Sequence, residues 1–308
     1  MTYIHLHGHS SYSLLEAIWS SKAIIARLKE LWFTHAPIQD YGGMYNVIGH
    51  YQICRKEWLA PLIGVDLPIQ IVNVHKSIPR SRYITLIARN YAGYAKLLEI
   101  VSTAQTRNSD QPHLLLSQFP DCGGNIIAIL SAHETTLGDS LAAGQNIDAL
   151  KPFVHNCIET FGEGNVVLEV IPQNPQNNRH LADANIALWE MHEALGLDII
   201  ASSNFHYIHP DDKEARDIAR CIKDGKRVYD DDRRVTEWDF HIMTEEEVRT
   251  QCKLNGFSET QTDLMCDTTA KIAEKISLEI QLGKLLFPVY ESPAEIVDLY
   301  AKFQAGEA

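Results

Sequence analysis

Seven short apolar runs, separated by stretches of helical periodicity, constrain this chain more than any other feature. They fall near residues 3–7, 36–39, 62–67, 83–88, 126–130, 166–170 and 199–202. Helices are expected between them. One spans 22–31, where Ser20 and Ser21 offer N-caps and Ile24, Leu28 and Leu31 share a face; another spans 45–55. Others carry Tyr91, Tyr94, Leu98 and Val101, or Leu188, Met191, His192 and Leu195. Strands alternating with helices argue for a parallel sheet wrapped by helices. About 230 residues of such units fit a closed or distorted barrel better than an open sheet, and barrels gather their chemistry at the C-terminal strand ends. Polar residues just after the runs are therefore expected to converge: His7 and His9, Asp40, Asp66, His133, Glu169, and Asn204 with His206. Nitrogen and oxygen donors of these types form a metal-binding rim.

The first run carries His5, His7 and His9, alternating with Leu6 and Gly8. An extended chain sends alternate side chains to one face, so the three imidazoles are expected on the same side. Neutral imidazole is a common ligand for zinc and similar ions, and a shared cation would relieve the repulsion among protonated rings. No Gly-x-Ser-x-Gly elbow is present, which argues against a serine hydrolase.

The composition is that of a globular protein: 308 residues, 45% hydrophobic and 22% charged. The sequence has no apolar run of about 18 residues and no basic-then-apolar leader, so no membrane partner is expected. The six scattered cysteines read as reduced core residues of a cytoplasmic protein. Forty acidic against 27 basic side chains give a net charge of −13, which argues against strong autonomous binding to nucleic acid. Brief contact with one strand end at a metal site is still compatible with that charge. Acidic runs at 211–212, 230–232 and 245–247 read as solvated turns and helix N-termini. A final long helix is expected over 259–276, and residues 286–308, with Pro288 and Pro293, read as a connector.

Longer motifs run through the chain in order. His5-Leu6-His7-Gly8-His9-Ser10-Ser11-Tyr12-Ser13-Leu14-Leu15 is followed by Asp40-Tyr41-Gly42-Gly43-Met44-Tyr45 and Leu62-Ile63-Gly64-Val65-Asp66. Then come Leu86-Ile87-Ala88-Arg89-Asn90, Ile129-Leu130-Ser131-Ala132-His133, Ala201-Ser202-Ser203-Asn204-Phe205-His206-Tyr207 and Leu282-Gly283-Lys284-Leu285-Leu286-Phe287-Pro288. This series resembles the PHP (polymerase and histidinol phosphatase) superfamily, in the version carried by bacterial DNA polymerase III alpha subunits. The resemblance implies an α/β fold, a distorted seven-stranded (β/α)7 barrel, over residues 1–285. Its barrel core would span about 1–210 and a helical part 210–285, before a connector toward a polymerase palm. It also implies a cluster of up to three divalent ions that hydrolyses phosphoesters, in some polymerases as a 3′–5′ exonuclease.

Carried over residue by residue, the implied metal ligands are His7, His9, Asp40, Asp66, His133 and His206, with His7, His9, Asp40 and His206 catalytic. Glu16 stands where an acidic residue often follows, and Glu169 would orient a ligand from behind. The chain departs from the pattern at several points. Tyr41 and Tyr83 stand where histidines are usual, Asp66 where a longer glutamate is usual, and Asn204 where a carboxylate is usual. An amide offers only a neutral carbonyl oxygen, Asp for Glu withdraws the carboxylate by about 1.5 Å, and tyrosine stays protonated below its pKa of about 10. Fewer than three ions, zinc or manganese, are therefore expected.

Trp19, Trp32 and Trp58 stand where relatives commonly have glycine, so either the loops bury the indoles or the indoles form a partner surface. The expected function is a PHP domain of a replicative polymerase with a metal-dependent phosphoesterase or exonuclease site and no polymerase activity of its own. Its partners would be the remainder of the polymerase, a proofreading exonuclease subunit and, transiently, a DNA 3′ end. The alternatives are a catalytically inactive structural domain that docks the exonuclease, and a free-standing phosphatase of the histidinol-phosphate type.

Overall fold

The computed structural model describes residues 3–70, 81–107, 113–176, 179–236, 238–285 and 294–305. Contacts divide the chain into residues 1–278 and 279–308. In the first unit, Ser20 accepts from the Ala23 N–H and caps α1 (Ser21–Glu30), which buries Ile24, Ile25 and Leu28. Then follow β1 (His35–Ile38), α2 (Val47–Glu57), β2 (Ala60–Gln70), β3 (Ser81–Ala88), α3 (Tyr91–Arg107) and the short β4 (Leu114–Leu115). The unit continues with β5 (Ile126–Ser131), α4 (Thr136–Ala142), α5 (Ile147–Phe161), β6 (Val166–Val170), α6 (Arg179–Leu195) and β7 (Asp198–Ala201). It ends with α7 (Lys213–Asp224), α8 (Glu245–Leu254) and α9 (Glu259–Glu274).

The strands form one curled sheet, a half-barrel in the order β1-β2-β3-β5-β6-β7, with β4 paired to β2. The expected all-parallel arrangement does not hold. β3 runs antiparallel to both β2 and β5, while β1–β2 and β5–β6–β7 are parallel. The cause is length: only residues 71–80 separate β2 from β3, and a parallel return needs a crossover of about a dozen or more. Those ten residues lie outside the described set.

The expected strand over 3–7 joins no regular ladder. Instead, residues 3–9 run extended between the two ends of the sheet. Gly8 bridges Phe205 in parallel, the His9 N–H donates to Phe205 O at 2.9 Å, and the Gln39 N–H donates to Gly8 O at 2.9 Å. Glycine is required at position 8, because a Cβ there would lie 2.1 Å from the Phe205 ring. Behind this seam, Leu6, Leu62, Ile127, Val167 and Ile200 pack with Ile272 of α9. Each such fully buried side chain contributes about 1.5–3 kcal/mol.

The glutamates of the 245–247 run fill the first turn of α8, where Thr244 and Glu247 form a capping box. The six cysteines are buried and unpaired. Trp32 and Trp58 sit just past α1 and α2 in left-handed backbone (φ 65° and 64°), and are 84% and 91% exposed. Trp19 differs, donating its indole N–H to Asp212 at 2.9 Å. In the second unit α10 spans Ala294–Ala305; the rest of the expected connector, with Pro288 and Pro293, lies outside the described residues. Among the described residues no helix is long and apolar enough to cross a membrane.

Candidate metal centre

Among the described residues, His7, His9 and Asp66 bring ligand atoms within 4.8 Å of one another, and all three are buried. The seam residue Gly8 separates the two histidines, so the backbone that links the two ends of the sheet also delivers them. Asp66 lies within β2 rather than at its end, opposite Thr85 of β3. His7 Nε2 is 3.1 Å from Asp66 Oδ2, and His9 Nε2 is 3.5 Å from the same oxygen. On its other side, His7 Nδ1 meets both oxygens of Glu169, at 3.0 and 3.1 Å. Glu169 comes from β6 and is fully buried. A carboxylate on Nδ1 fixes the tautomer that turns Nε2 toward Asp66, the usual support of a metal-ligating histidine. Burial by itself disfavours a charged His7, but Glu169 and Asp66 outweigh it and raise the pKa to about 10. Without an ion, His7 is therefore an imidazolium clamped between two carboxylates.

His9 is held neutral by burial, by the His7 charge and by Arg216, all of which lower its pKa. The Ser13 hydroxyl donates to Asp40 Oδ1 at 2.7 Å, so it can only accept from His9 Nδ1 at 3.2 Å. His9 Nε2 faces Asn204 Oδ1 at 3.0 Å and Asp66 Oδ2 at 3.5 Å. Asp66 Oδ1 is buried with no hydrogen-bond partner. Such an orphaned carboxylate oxygen is costly unless a cation takes it, and this donor set suits a divalent ion.

The other expected residues have different surroundings. Asp40 spends both oxygens on the loop after His9, accepting from the Ser10 N–H (2.8 Å) and from the hydroxyls of Ser10 and Ser13 (both 2.7 Å). Burial raises its pKa, against those hydrogen bonds. It braces His9 through Ser13. His206 stacks on His9 at 4.2 Å between ring centroids, with Nδ1 on Asn204 O (2.8 Å) and Nε2 on the Tyr41 hydroxyl (3.0 Å). Tyr41 also contacts Glu134 Oε2 at 2.8 Å, and burial with nearby Glu134 and Asp66 keeps its phenol protonated. Tyr83 packs on Tyr41 with centroids 4.6 Å apart. His133 turns away, against Trp238 (4.4 Å) and Phe240 (5.3 Å). Glu16 lies among Arg216, Arg220, Lys223 and Arg234. His5 occupies a separate pocket on Met243 O and Phe33. At about 3.3 Å per residue it stands some 13 Å along the chain from His9. Sequence reasoning assigned no role to Ser10, Ser13, Glu134 or Arg216, although Ser10 and Ser13 lie in the first motif and Glu134 adjoins His133.

Comparison with known proteins follows the same lines. The PHP domain family profile matches residues 5–173. A DNA polymerase III subunit alpha of Helicobacter pylori is 28% identical over 293 residues, covering 91% of this chain and 23% of that protein. One from Borreliella burgdorferi is 26% identical over 305 residues, covering 95% and 25% respectively. The chain thus spans about a quarter of the length of these relatives. An amidohydrolase from Chromobacterium violaceum, solved with bound sulfate and no metal, superimposes with a TM-score of 0.44 at 12% identity, over 66% of this chain and 87% of that one. So loose a superposition carries no weight here.

Proposed function

Since the chain belongs to the PHP domain family, we propose that it is the metal-dependent phosphoesterase-type domain of a DNA polymerase III alpha-like protein, built for fewer ions than a full cluster. The observation that carries this reading is the orphaned Asp66 Oδ1 beside the buried convergence of His7, His9 and Asp66. His7, His9 and Asp66 would hold the ion, with the Asn204 carbonyl oxygen at its edge. When bound, a divalent cation, zinc or manganese, supplies Lewis acidity at a phosphoryl oxygen and activates water. The chain's own residues do the rest. Glu169 fixes His7, and Asp40 with Ser13 fixes His9. Tyr41 donates its phenolic hydrogen to Glu134 and so holds that carboxylate beside His206. The substrate is a phosphoester at a DNA 3′ end, and the partner is the remainder of the polymerase.

The test is metal analysis of purified, untagged protein, paired with hydrolysis of a 3′-labelled single strand with added manganese or zinc. Stoichiometric metal, and activity lost in His9→Ala, support the reading; absence of both ends it. One observation favours a second reading, a structural domain that docks a proofreading exonuclease. The Glu169–His7–Asp66 ion-pair chain is complete without an ion, and could hold the fold where a cluster once did. That reading requires a melting temperature unchanged by chelator and by metal.

A further inference from the structure

Beside the candidate metal centre lies a cavity of about 100 Å³, roughly the space of three waters. Its walls are His133 and Glu134 after β5, Arg216 and Arg220 on α7, and Thr236 and Trp238 from the segment before α8. Val235 at its side is half exposed, so the cavity is within reach of solvent. Glu134 joins the two sites, since Tyr41 contacts both its carboxylate and His206.

The walls offer more donors than the protein uses. Trp238 Nε1 and Arg220 Nε are shut off from solvent without a hydrogen-bond acceptor. Arg220 Nε lies 3.4 Å from Glu16 Oε2, and Arg216 Nη2 lies 3.8 Å from it. Glu16 is already shared with Lys223 (2.8 Å) and Arg234 (3.2 Å). Arg216 otherwise donates to Glu16 O (2.7 Å) and Thr236 Oγ1 (3.1 Å), and Arg220 to Thr236 Oγ1 (3.2 Å). The Thr236 hydroxyl can accept both because it donates to Asp217. Among the described residues, Trp238 Nε1 and Arg220 Nε are thus the buried donors of this wall left without a hydrogen-bond acceptor. Each buried N–H left unpaired costs about 1–3 kcal/mol. An anion in the cavity would remove that cost.

One wall is a carboxylate, and it determines which anion fits. Glu134 accepts a hydrogen bond from the Tyr41 hydroxyl at 2.8 Å and shares the cavity with Arg216 and Arg220. Glu134 is thus an acceptor, and it would repel an anion that brings no hydrogen of its own. A phosphomonoester, with a second pKa of about 6, can bring one; sulfate and a phosphodiester cannot. We propose that the cavity is a terminal-phosphate subsite, in which Arg216, Arg220 and the Trp238 N–H hold the anionic oxygens and Glu134 accepts the hydrogen of the P–O–H group. Binding involves no covalent step and no metal. Assigning that phosphate to the end of the strand cleaved next door rests on the phosphoesterase reading; the subsite itself does not.

The experiment is calorimetric titration of inorganic phosphate, then sulfate, into the 308-residue chain with chelator present. Saturable phosphate binding, at least tenfold tighter than sulfate, is expected. Trp238→Phe keeps the ring and deletes the N–H, and should weaken phosphate about fivefold or more. Glu134→Gln should abolish the preference by admitting sulfate. Each variant is first shown to melt cooperatively near the parent temperature, and Arg220→Gln replaces any that does not, with an expected loss of at least fivefold. No saturable phosphate binding, equal affinity for phosphate and sulfate, or an unaffected Trp238→Phe overturns the subsite. Metal-dependent hydrolysis without phosphate binding leaves the phosphoesterase reading standing and removes the subsite. Selective phosphate binding without hydrolysis does the reverse.

Discussion

Trp58 is among the largest side chains of the chain, yet its removal should cost the fold almost nothing, and the smallest replacement should be the best. It caps α2 at φ 64° and is 91% exposed. Left-handed backbone costs a non-glycine residue about 1–2 kcal/mol. An indole of about 250 Å² that stays nine-tenths in water buries some 20 Å², worth about 0.5 kcal/mol at 25 cal/mol per Å². Glycine also raises the entropy of the unfolded chain, offsetting about 0.4–1 kcal/mol of the relief. Trp58→Gly should therefore lie within about 0.5 kcal/mol of the parent, against about 3–5 kcal/mol for a buried tryptophan truncated to alanine. Trp58→Ala loses the same contacts but keeps the strain, so glycine should exceed alanine by about 0.5–1 kcal/mol. Urea denaturation with linear extrapolation measures both differences. A loss above about 2 kcal/mol in Trp58→Gly, or alanine equal to or better than glycine, would refute the argument. A neutral outcome would also mean that folding does not account for an indole at this position.

Three further outcomes are expected. Glu169→Gln keeps the shape behind His7 but removes its charge, and should weaken zinc or manganese binding about 10–100-fold in a competition titration; unchanged affinity would mean that His7 is not a ligand. Gly8→Ala puts a methyl into the fully buried Phe205 ring and should cost about 1–3 kcal/mol as an overpacked core, seen in thermal melts together with reduced metal uptake. His50 is fully buried between Ser21 and Ala36 O, and burial lowers its pKa to about 4. Its neutral form is the folded form, so its contribution is complete above pH 6.5 and is lost as pH falls toward 4, about 3 kcal/mol in all; His50→Gln should flatten that part of the stability–pH curve.

Much of the scaffold was readable because local and tertiary signals agree. The apolar run 166–170 coincides with β6, and Ser20 caps α1 as its position before the helical stripe implies. The direction of β3 was hidden, since an apolar run reads the same either way and only the link before it forbids a crossover. The site was half readable. The pattern at 5–9 marked His7 and His9, but spacing cannot show that serines beside His9 capture both oxygens of Asp40. Nor can it show that His133 turns toward Trp238 and Phe240, more than 100 residues on. Those outcomes depend on hydrogen-bond competition and aromatic packing between distant segments. Arg216 and Trp238 carried no local signal for the same reason.

The strip of backbone from His7 to His9 has two jobs: it stitches the margins of the sheet together and it carries two of the converging side chains. As the polypeptide leaves the ribosome, these residues emerge well before Phe205 and must wait for it before either job can begin. Unzipping the stitch and dismantling the cation cradle are then a single event. A bound ion would act as a rivet between this strip and β2, resisting unfolding by binding the folded form alone.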